Sequence, residues 1–410
     1  MSTTPEKTQA QLLQEKWEPV LHSDKLPEIT DPYRLKVTAQ LLENEEKFLS
    51  EAANVTADVA GYVPVVISMV RRMAPKLIAF DVAGLQPLNM PNGRIFALRA
   101  RYNPTATPPA PQPPVKDQPE ALFNEADTSY SGAGSHVGDN PFAAGWSTGT
   151  GMETADGEVD PWAAMGVSIE AVDVSVKTRQ LRADYSLELA QDMRAIHGLD
   201  ADAELSAILA NQVTAEINRE VIRKIYAIAK TGAQFATVAG KFDLNADADG
   251  RWAGERYTGL LFAIERDANA IGLETKMGKG NIVITSANVA SALAMAGLLQ
   301  YTGAIKDMTN MEVDTTGPTF AGTMGRYRVF VDPYLGVDGY VVGYRGASQY
   351  DAGFFYCPYV PLQMVRATDP KNFQPAIGYK TRYGLVQNPF TSLAAGQNTY
   401  YRKAEVLNLR

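Results

Sequence analysis

The stretch whose reading decides this chain is Asp200 to Ala229, DADAELSAILANQVTAEINREVIRKIYAIA. Its apolar residues fall at Leu205, Ile208, Leu209, Val213, Ile217, Val221, Ile225 and Ile228. Steps of three and four put them on one stripe of a helix. Asp200, Asp202 and Glu204 sit at the positive end of the helix dipole, and Arg223, Lys224 and Lys230 at the negative end. Glu220 and Lys224 form an i,i+4 pair in the better orientation. No Gly or Pro interrupts the run, and at the usual rise per residue it is ~45 Å long, more than a compact core needs. Pattern alone leaves two readings open. One is a long core helix in an all-α domain. The other is a spine that carries two domains and offers a flank to neighbouring copies. On the spine reading the Leu205–Ile228 stripe buries against strands, while Glu216, Arg219 and Arg223 face out of that core.

Upstream, residues 1–51 read as a detachable helical arm. Thr4–Pro5 and Asp31–Pro32 are helix starts, a capping side chain followed by Pro at the first helical position. The first helix carries Leu12, Leu13 and Trp17, the second Leu35, Leu42 and Leu49. The arm holds 6 Lys/Arg and 10 Asp/Glu, so −4 of the chain's net −8 lies in it. Two amphipathic helices with little core of their own read as a segment that packs on partners. The alternative is a subdomain folded onto the body of the same chain. Residues 52–61 are a small, polar linker. Pro64 opens a helix, VVISMVRRMA, that Pro75 stops.

LIAFDVAGLQPL (77–88) is a β-type run, MPNG (90–93) a turn and RIFALRARY (94–102) a strand. In that strand Phe96, Leu98, Ala100 and Tyr102 are expected on a buried face, with Arg99 and Arg101 on a cationic outer one. Residues 103–160 differ in kind: seven prolines fall between Pro104 and Pro119, and glycines dominate from Gly132 to Gly151. The spacing suits a stiff polyproline spacer better than an SH3-type ligand. A second strand follows at 167–176. Val167 and Ile169 share one parity there and Val172, Val174 and Val176 the other, which predicts a bulge. The whole is a two-stranded arm with a long irregular tip.

Downstream of the long helix lies an α/β region. Helix 251–272 precedes GNIVITS (280–286), a buried strand, then a helix, ANVASALAMAGLL, and strands at 326–334 and 339–345. The tail, FFYCPYVPLQMV to YRKAEVLNLR, is strand-like again.

Composition narrows the functional classes. A chain of 410 residues, 45% hydrophobic and 20% charged, has room for two or three domains with real cores. Its net charge of −8 argues against gripping nucleic acid, although such a chain can still surround it. The single cysteine, Cys357, excludes an intrachain disulfide framework and a multi-Cys zinc site. No apolar run approaches the ~18 residues of a membrane span, and the N-terminal residues show no signal-peptide core.

Chemistry is scarce. His22, His136 and His197 stand outside any nucleophile motif. Asn245–Ala–Asp247–Ala–Asp249–Gly250 resembles the first half of an EF-hand loop, but its twelfth position is Arg256, with Glu255 one place short. It reads as an acidic surface loop. Glu216 and Glu220 read as carboxylates on a solvated helix face. No catalytic, cofactor-binding or metal-binding residue is assigned, and no cofactor is expected.

Four stretches carry a resemblance: MVRRMAPKLIAFDVAGLQPLNMPNGRIFALRA (69–100), RQLRADYSLELAQDMRAIHGLDADAELSAILANQVTAEINREV (179–221), RWAGE (251–255) and TDPKNFQPAIGYKTRYG (368–384). In wording and order they are similar to the major head protein of T4-like tailed phages. The resemblance implies an α+β chain with the HK97-type capsid fold. Its parts would be a propeptide-like helical arm (1–51), an N-arm (52–76) and the start of the peripheral P domain (77–93). Next come the extended β-hairpin E-loop region (94–176) with its Pro/Gly-rich tip (103–160), and the P domain with its spine helix (177–245, spine 200–229). An α/β axial A domain (246–365) and a C-terminal return to the P domain (366–410) complete it.

In this family a prohead protease cuts after a Glu preceded two residues earlier by Leu or Ile. Phe48–Leu49–Ser50–Glu51–Ala52 matches at the arm–linker boundary, so Leu49, Glu51 and Ala52 are the expected cleavage motif; Leu41–Leu42–Glu43 is a weaker match. T4 itself carries an insertion domain in the E-loop region. Residues 103–160 are too short and too rich in Pro and Gly to hold one, and no residues are named for a covalent cross-link.

The function implied is structural and non-enzymatic: self-assembly into hexamers, with pentamers left open, forming a head shell around double-stranded DNA. The implied partners are neighbouring copies, a prohead protease, scaffolding proteins and a portal, with decoration proteins left open and no membrane. Two rivals stand beside it. One is an encapsulin-like nanocompartment shell. The other is a hydrolase or transferase with its site in the 250–345 α/β region, near His197 or Asp332.

Overall fold

The computed structural model describes residues 9–21, 29, 31–52, 77–103, 118–122, 125–138, 140–142, 145–159, 163–198, 200–248, 250, 252–297, 299–301, 319–346, 348, 351–368, 374–391 and 394–409. The expected helix after Pro64 and the run of prolines from Pro104 to Pro114 lie outside them. The chain divides into two compact units, residues 1–93 with 174–410, and residues 94–173.

In the larger unit, α1 (Gln9–Leu21) and α2 (Pro32–Ala52) come first. The start signal of α2 works as its sequence predicts: the Asp31 carboxylate accepts the Tyr33 backbone N–H at 2.9 Å, and Pro32 follows the cap. The arm is not detached, however. Trp17, Leu21, Val37, Ala39, Leu41 and Leu42 are buried in the same core as Leu77, Phe80, Leu362 and Ile377. The alternative reading, an arm folded onto its own body, is the one observed. Next, α3 (Ala79–Val82) and the two-residue strand β1 (Gly84–Leu85) replace the β-type run expected over 77–88. A short apolar run bounded by turns does not distinguish helix from strand. Here Ala79, Phe80 and Val82 are all buried as one helical turn, and Asn218 Oδ1 accepts the Ile78 N–H at 3.0 Å.

The smaller unit holds β2 (Asn92–Asn103), the short α4 (Thr154–Val159) and β3 (Ala164–Ser175), with β2 and β3 paired as a two-stranded sheet. Exposure along β3 alternates without a break from Gly166 to Ser175, so no bulge is needed there. Even-numbered residues lie inward; Val167 and Ile169 share the outer face.

Back in the larger unit come β4 (Lys177–Asp184) and α5 (Leu187–Asp192), which runs into a wider π-turn, Met193–His197. Gly198 ends that turn at φ 67°, where a side chain would be strained. The long helix α6 (Ala201–Ile228) follows. After it come β5 (Ala229–Thr231), β6 (Lys241–Asp243), α7 (Ala253–Thr275), β7 (Ile282–Ser286), α8 (Ala287–Met295), β8 (Gln300–Tyr301), β9 (Thr319–Met324), β10 (Tyr327–Asp332), β11 (Gly339–Gly343), β12 (Phe354–Thr368), β13 (Pro375–Gln387) and β14 (Asn398–Leu407).

One sheet runs β1-β12-β13-β4; the other runs β5-β14-β11-β7-β10-β9-β8, with β6 also on β14. The second sheet is covered on both faces. Ile282, Ile284, Phe330 and Val341 point into the core that contains α6, while Val283, Val329, Tyr340 and Val342 point into a second core with Leu260, Ile264 and Ile271 of α7. That double burial explains why all five residues of β7 are buried and why Ile282, Val283 and Ile284 are apolar in succession, and β7 pairs with β10 in parallel as such runs do. Helix α6 packs on β4 and β13 of the first sheet and touches β14 of the second. It therefore joins the two sheets. The fold is the α+β mixture expected.

The stripe on α6 needs one correction. Leu209, Val213, Ile217, Val221, Ile225 and Ile228 are buried, but Ile208 is 60% exposed, and Thr214, Asn218 and Ile222 take buried places instead. The helix is held by a broader face than a count of apolar residues reveals.

Candidate assembly surfaces and cleavage motif

The β2–β3 hairpin presents its apolar side to solvent. Phe96 (62% exposed), Leu98 (65%), Met165 (59%), Val167 (61%) and Ile169 (67%) form one face. This inverts the expected parity, which placed Phe96 and Leu98 inside. The inner face buries Ile95 and Ala97 and becomes ionic further along the strand. Arg99 pairs with Glu120 at 3.1 Å and Glu170 at 3.2 Å; Arg101 pairs with Glu170 at 2.8 Å and donates to Ser168 Oγ at 2.9 Å and the Gln118 carbonyl at 2.6 Å. Residues beyond the prolines fold back alongside β2, with Ala121 N–H donating to Ala100 O at 2.8 Å and Tyr102 N–H to Pro119 O at 3.1 Å, which delivers Glu120. The sequence held the signal. Arg99 and Arg101 alternate on one strand as Ser168 and Glu170 do on the other, and opposite charges across paired strands attract. Contiguous exposed apolar side chains on this scale mark a contact surface in a folded protein.

The tip is less irregular than expected. Asp127 caps a short turn over Thr128–Tyr130, Tyr130 stacks on Tyr102 at 4.4 Å between ring centroids, and Ala133–Thr150 and Val137–Ser147 form antiparallel bridges. His136 Nδ1 accepts the Gly149 N–H at 3.2 Å, a structural use of a histidine.

The polar flank of α6 is clamped rather than solvated. Arg179 on β4 reaches Glu216 at 2.7 Å and Glu220 at 2.6 Å, and its Nε donates to the Tyr383 hydroxyl at 2.8 Å. Tyr383 in turn donates to Glu220 at 2.6 Å. Burial alone would raise the Glu220 pKa, but the hydrogen bonds from Tyr383 and Arg179 outweigh it and hold the carboxyl below its usual range. One turn on, Arg219 does not face out of the core as expected. It pairs at 2.8 Å with Asp332, which is buried at 1% side-chain exposure and also accepts from the Tyr226 hydroxyl at 3.1 Å. Of the three expected outward residues only Arg223 is exposed; Glu216 and Arg219 are half-buried. These clamps join the helix to both sheets, and spacing along α6 could not reveal partners that arrive from Arg179, Asp332 and Tyr383.

Of the expected cleavage motif, Glu51 and Ala52 are the last two residues of α2 and Leu49 lies in its final turn. The Glu43–Asn44 bond of the weaker match lies mid-helix, with Leu42 buried at 1% and Glu43 paired to Lys16 at 2.8 Å.

The remaining candidate groups can be placed among the described residues. No group of three or more His, Cys, Asp or Glu side chains is placed to hold a metal among them. In the EF-hand-like stretch, Asp247 accepts from Thr237 N–H at 2.8 Å, Thr237 Oγ1 at 2.7 Å and Asp243 N–H at 2.9 Å, while Asn245 Oδ1 accepts from Arg256 at 2.7 Å. These oxygens brace a loop. His197 is exposed at the end of the π-turn, and Asp332 is committed to Arg219. Cys357 is buried, and burial pushes its thiol pKa up to about 12. No described helix is long and apolar enough to cross a membrane.

Comparison with known proteins supplies the context for these surfaces. A family model described as major capsid protein Gp23 matches residues 59–406. The major capsid protein of Salmonella phage ViI is 38% identical over 439 aligned residues, spanning 97% of this chain and 98% of that protein. The major capsid protein of Enterobacteria phage T4 is 36% identical over 517 aligned residues, spanning 98% of this chain and 99% of that protein. Among solved structures, the capsid of Myoviridae phage XM1 is similar over 81% of this chain and 92% of its own, with a TM-score of 0.43 at 10% identity.

Proposed function

Because the chain belongs to the Gp23 family of major capsid proteins, a structural subunit of the phage head shell, we propose that its hairpin face and its arm are the parts that build and mature that shell. Its place is the capsid of the virion. The subunit acts by assembly rather than by catalysis. It closes into hexamers of self-associated copies around double-stranded DNA that it encloses without sequence-specific contacts. The observation that carries this reading is the uncovered row Phe96, Leu98, Met165, Val167 and Ile169. Burying a large apolar side chain is worth ~1.5–3 kcal/mol, so five of them covered by a neighbour give each subunit contact a substantial apolar term. Many modest contacts of this kind suffice for a shell. The domain order proposed from the family resemblance is E-loop from the hairpin, P domain from the β12–β13 sheet with α6, and A domain from the sheet around β7 and β10, with two departures from the expected bounds: β12, expected largely in the A domain (246–365), pairs in the first sheet, and β14, expected in the C-terminal return to the P domain (366–410), pairs in the second.

In maturation, a prohead protease cuts the Glu51–Ala52 bond; scaffolding proteins and a portal complete the assembly pathway. What supports the cut is the position of the motif in the last turn of α2, where a helix frays and a protease gains extended backbone. Cleavage would take away −4 of the net −8. It would also strip Val37, Leu41 and Leu42 from the core they share with Phe80 and Leu362. The apolar trough left behind, lined by Leu77, Phe80, Ile217, Tyr356, Val360 and Leu362, favours rearrangement of the shell. The nanocompartment and hydrolase readings find no support. Intact mass measurement of chain from finished heads tests the cleavage: a product beginning at Ala52 is expected, and one beginning at Met1 contradicts it.

A further inference from the structure

A second surface, distinct from the hairpin, is built on the outer side of α7. Phe262 and Arg266 stand one turn apart there, and the Arg266 guanidinium lies 3.5 Å from the ring centroid of Phe235 and 5.7 Å from that of Phe262. Both rings are largely exposed, Phe235 at 70% and Phe262 at 63%. Among the described residues no carboxylate lies within ion-pair distance of Arg266. A cleft of about 490 Å³ opens beside it, lined by Phe235, Ala236, Asp247, Gly259 and Phe262.

The loop carrying Phe235 is held in place from below. Asp267, the next residue on α7 and 3% exposed, accepts the Ala233 N–H at 2.9 and 3.0 Å and the Tyr340 hydroxyl at 2.9 Å. Ala233 is thereby kept at φ 45°, a left-handed conformation that residues other than glycine avoid. Gly232 has no room for a side chain: a Cβ there would lie 2.6 Å from Asp267 Oδ2. A buried carboxylate thus fixes the loop, the loop fixes the ring, and the ring fixes the guanidinium.

We infer that Phe235, Arg266 and Phe262 form a preorganised receptor for a carboxylate side chain of a second copy of this chain. The inference rests on the shell reading, which supplies the neighbouring copy. A stacked guanidinium keeps its N–H edge free, and that edge matches a carboxylate in two parallel hydrogen bonds. The chain offers such groups in excess, with 46 Asp and Glu against 38 Lys and Arg. Asp247 at the rim does not compete, because Thr237 and the Asp243 N–H already occupy its oxygens. The exposed stripe continues along α7 to Asn269 and Leu273, the latter 68% exposed, so the contact has apolar surface beside the ion pair. Arg, Trp and Tyr anchors packed by aromatic neighbours are the residues that dominate protein interfaces.

The test uses full-length chain, followed by sedimentation velocity across a concentration series, with thermal melting of the unassembled chain alongside. Arg266→Ala is expected to leave the melt unchanged and to raise the concentration needed for assembly by ~10-fold or more, the loss expected when a desolvated ion pair is cut. Arg266→Lys, which keeps charge but loses the planar fork, falls between. Phe235→Ala, which removes the plate but not the charge, also raises the threshold. An Arg266→Ala chain that assembles at the wild-type concentration overturns the inference while leaving the shell reading intact. A wild-type chain that forms no rings or shells sinks the shell reading, and this inference with it.

Discussion

Replacing Arg179 with Ala probes the joint between the long helix and the sheet beneath it. Arg179 makes three contacts, to Glu216 at 2.7 Å, Glu220 at 2.6 Å and the Tyr383 hydroxyl at 2.8 Å. Without it, two carboxylates one helical turn apart face each other with only Tyr383 between them. Removing one partner of a fully buried ion pair costs ~3–5 kcal/mol. These side chains are 31%, 38% and 30% exposed, so water screens part of that cost, and about 2 kcal/mol is expected.

The pH dependence adds a second signature. Burial alone would raise the folded-state pKa of Glu220, but the hydrogen bonds from Tyr383 and Arg179 hold it below the usual glutamate value. A depressed carboxylate stabilises the fold above its unfolded pKa, and that contribution is lost as pH falls through the folded value. The gap between wild type and Arg179→Ala is therefore wide at pH 7 and narrows below about pH 4.5. Urea unfolding of the unassembled chain at both pH values measures it, with hydrogen exchange of α6 amides reporting the local effect. Adding Glu216→Gln and Glu220→Gln to the Arg179→Ala chain should recover part of the loss by removing the repulsion. A difference below about 0.5 kcal/mol at pH 7, or one that grows in acid, refutes the clamp.

Other consequences are as direct. Val167→Asp on the hairpin face should leave the melting temperature of the single chain within a degree or two, because the residue is 61% exposed, yet abolish assembly seen by light scattering. Leu42→Ala, at a site 1% exposed, should destabilise the full-length chain by ~2–5 kcal/mol and have no effect on chain already cut after Glu51, from which α2 is gone. Cys357 should resist thiol reagents in the native chain and react only on unfolding, since the thiol is buried and its pKa is pushed up to about 12; labelling at pH 8 followed by mass measurement checks this.

Much of the architecture was legible from local pattern. The span of α6, its place between two strand regions, the doubly buried strand 280–286 and the Asp31–Pro32 helix start all follow from periodicity and capping, which are short-range properties. What failed was long-range. The run at 77–88 satisfies helix and strand equally, and the choice falls to Asn218, 140 residues away, which accepts the Ile78 N–H. The hairpin parity does not follow from the pattern, because alternation identifies two faces but not which of them is covered, and here Phe96 and Leu98 lie on the exposed one. The arm reads as detachable from its own sequence because periodicity shows where α1 and α2 can pack on each other but not that α2 also buries Leu41 and Leu42 in one core with Leu77, Phe80 and Leu362. The clamps on Glu216, Glu220 and Arg219 stayed hidden for the same reason, since charged residues on one helix reveal nothing about charges arriving from another strand.

The central claim is that the apolar hairpin face is a contact between copies. Electron cryomicroscopy of particles assembled from this chain tests it most directly. The account predicts closed shells in which Phe96, Leu98, Val167 and Ile169 lie in van der Waals contact with a neighbouring subunit. Shells in which that row stays in solvent, or a chain that remains a folded monomer at every concentration, contradict it.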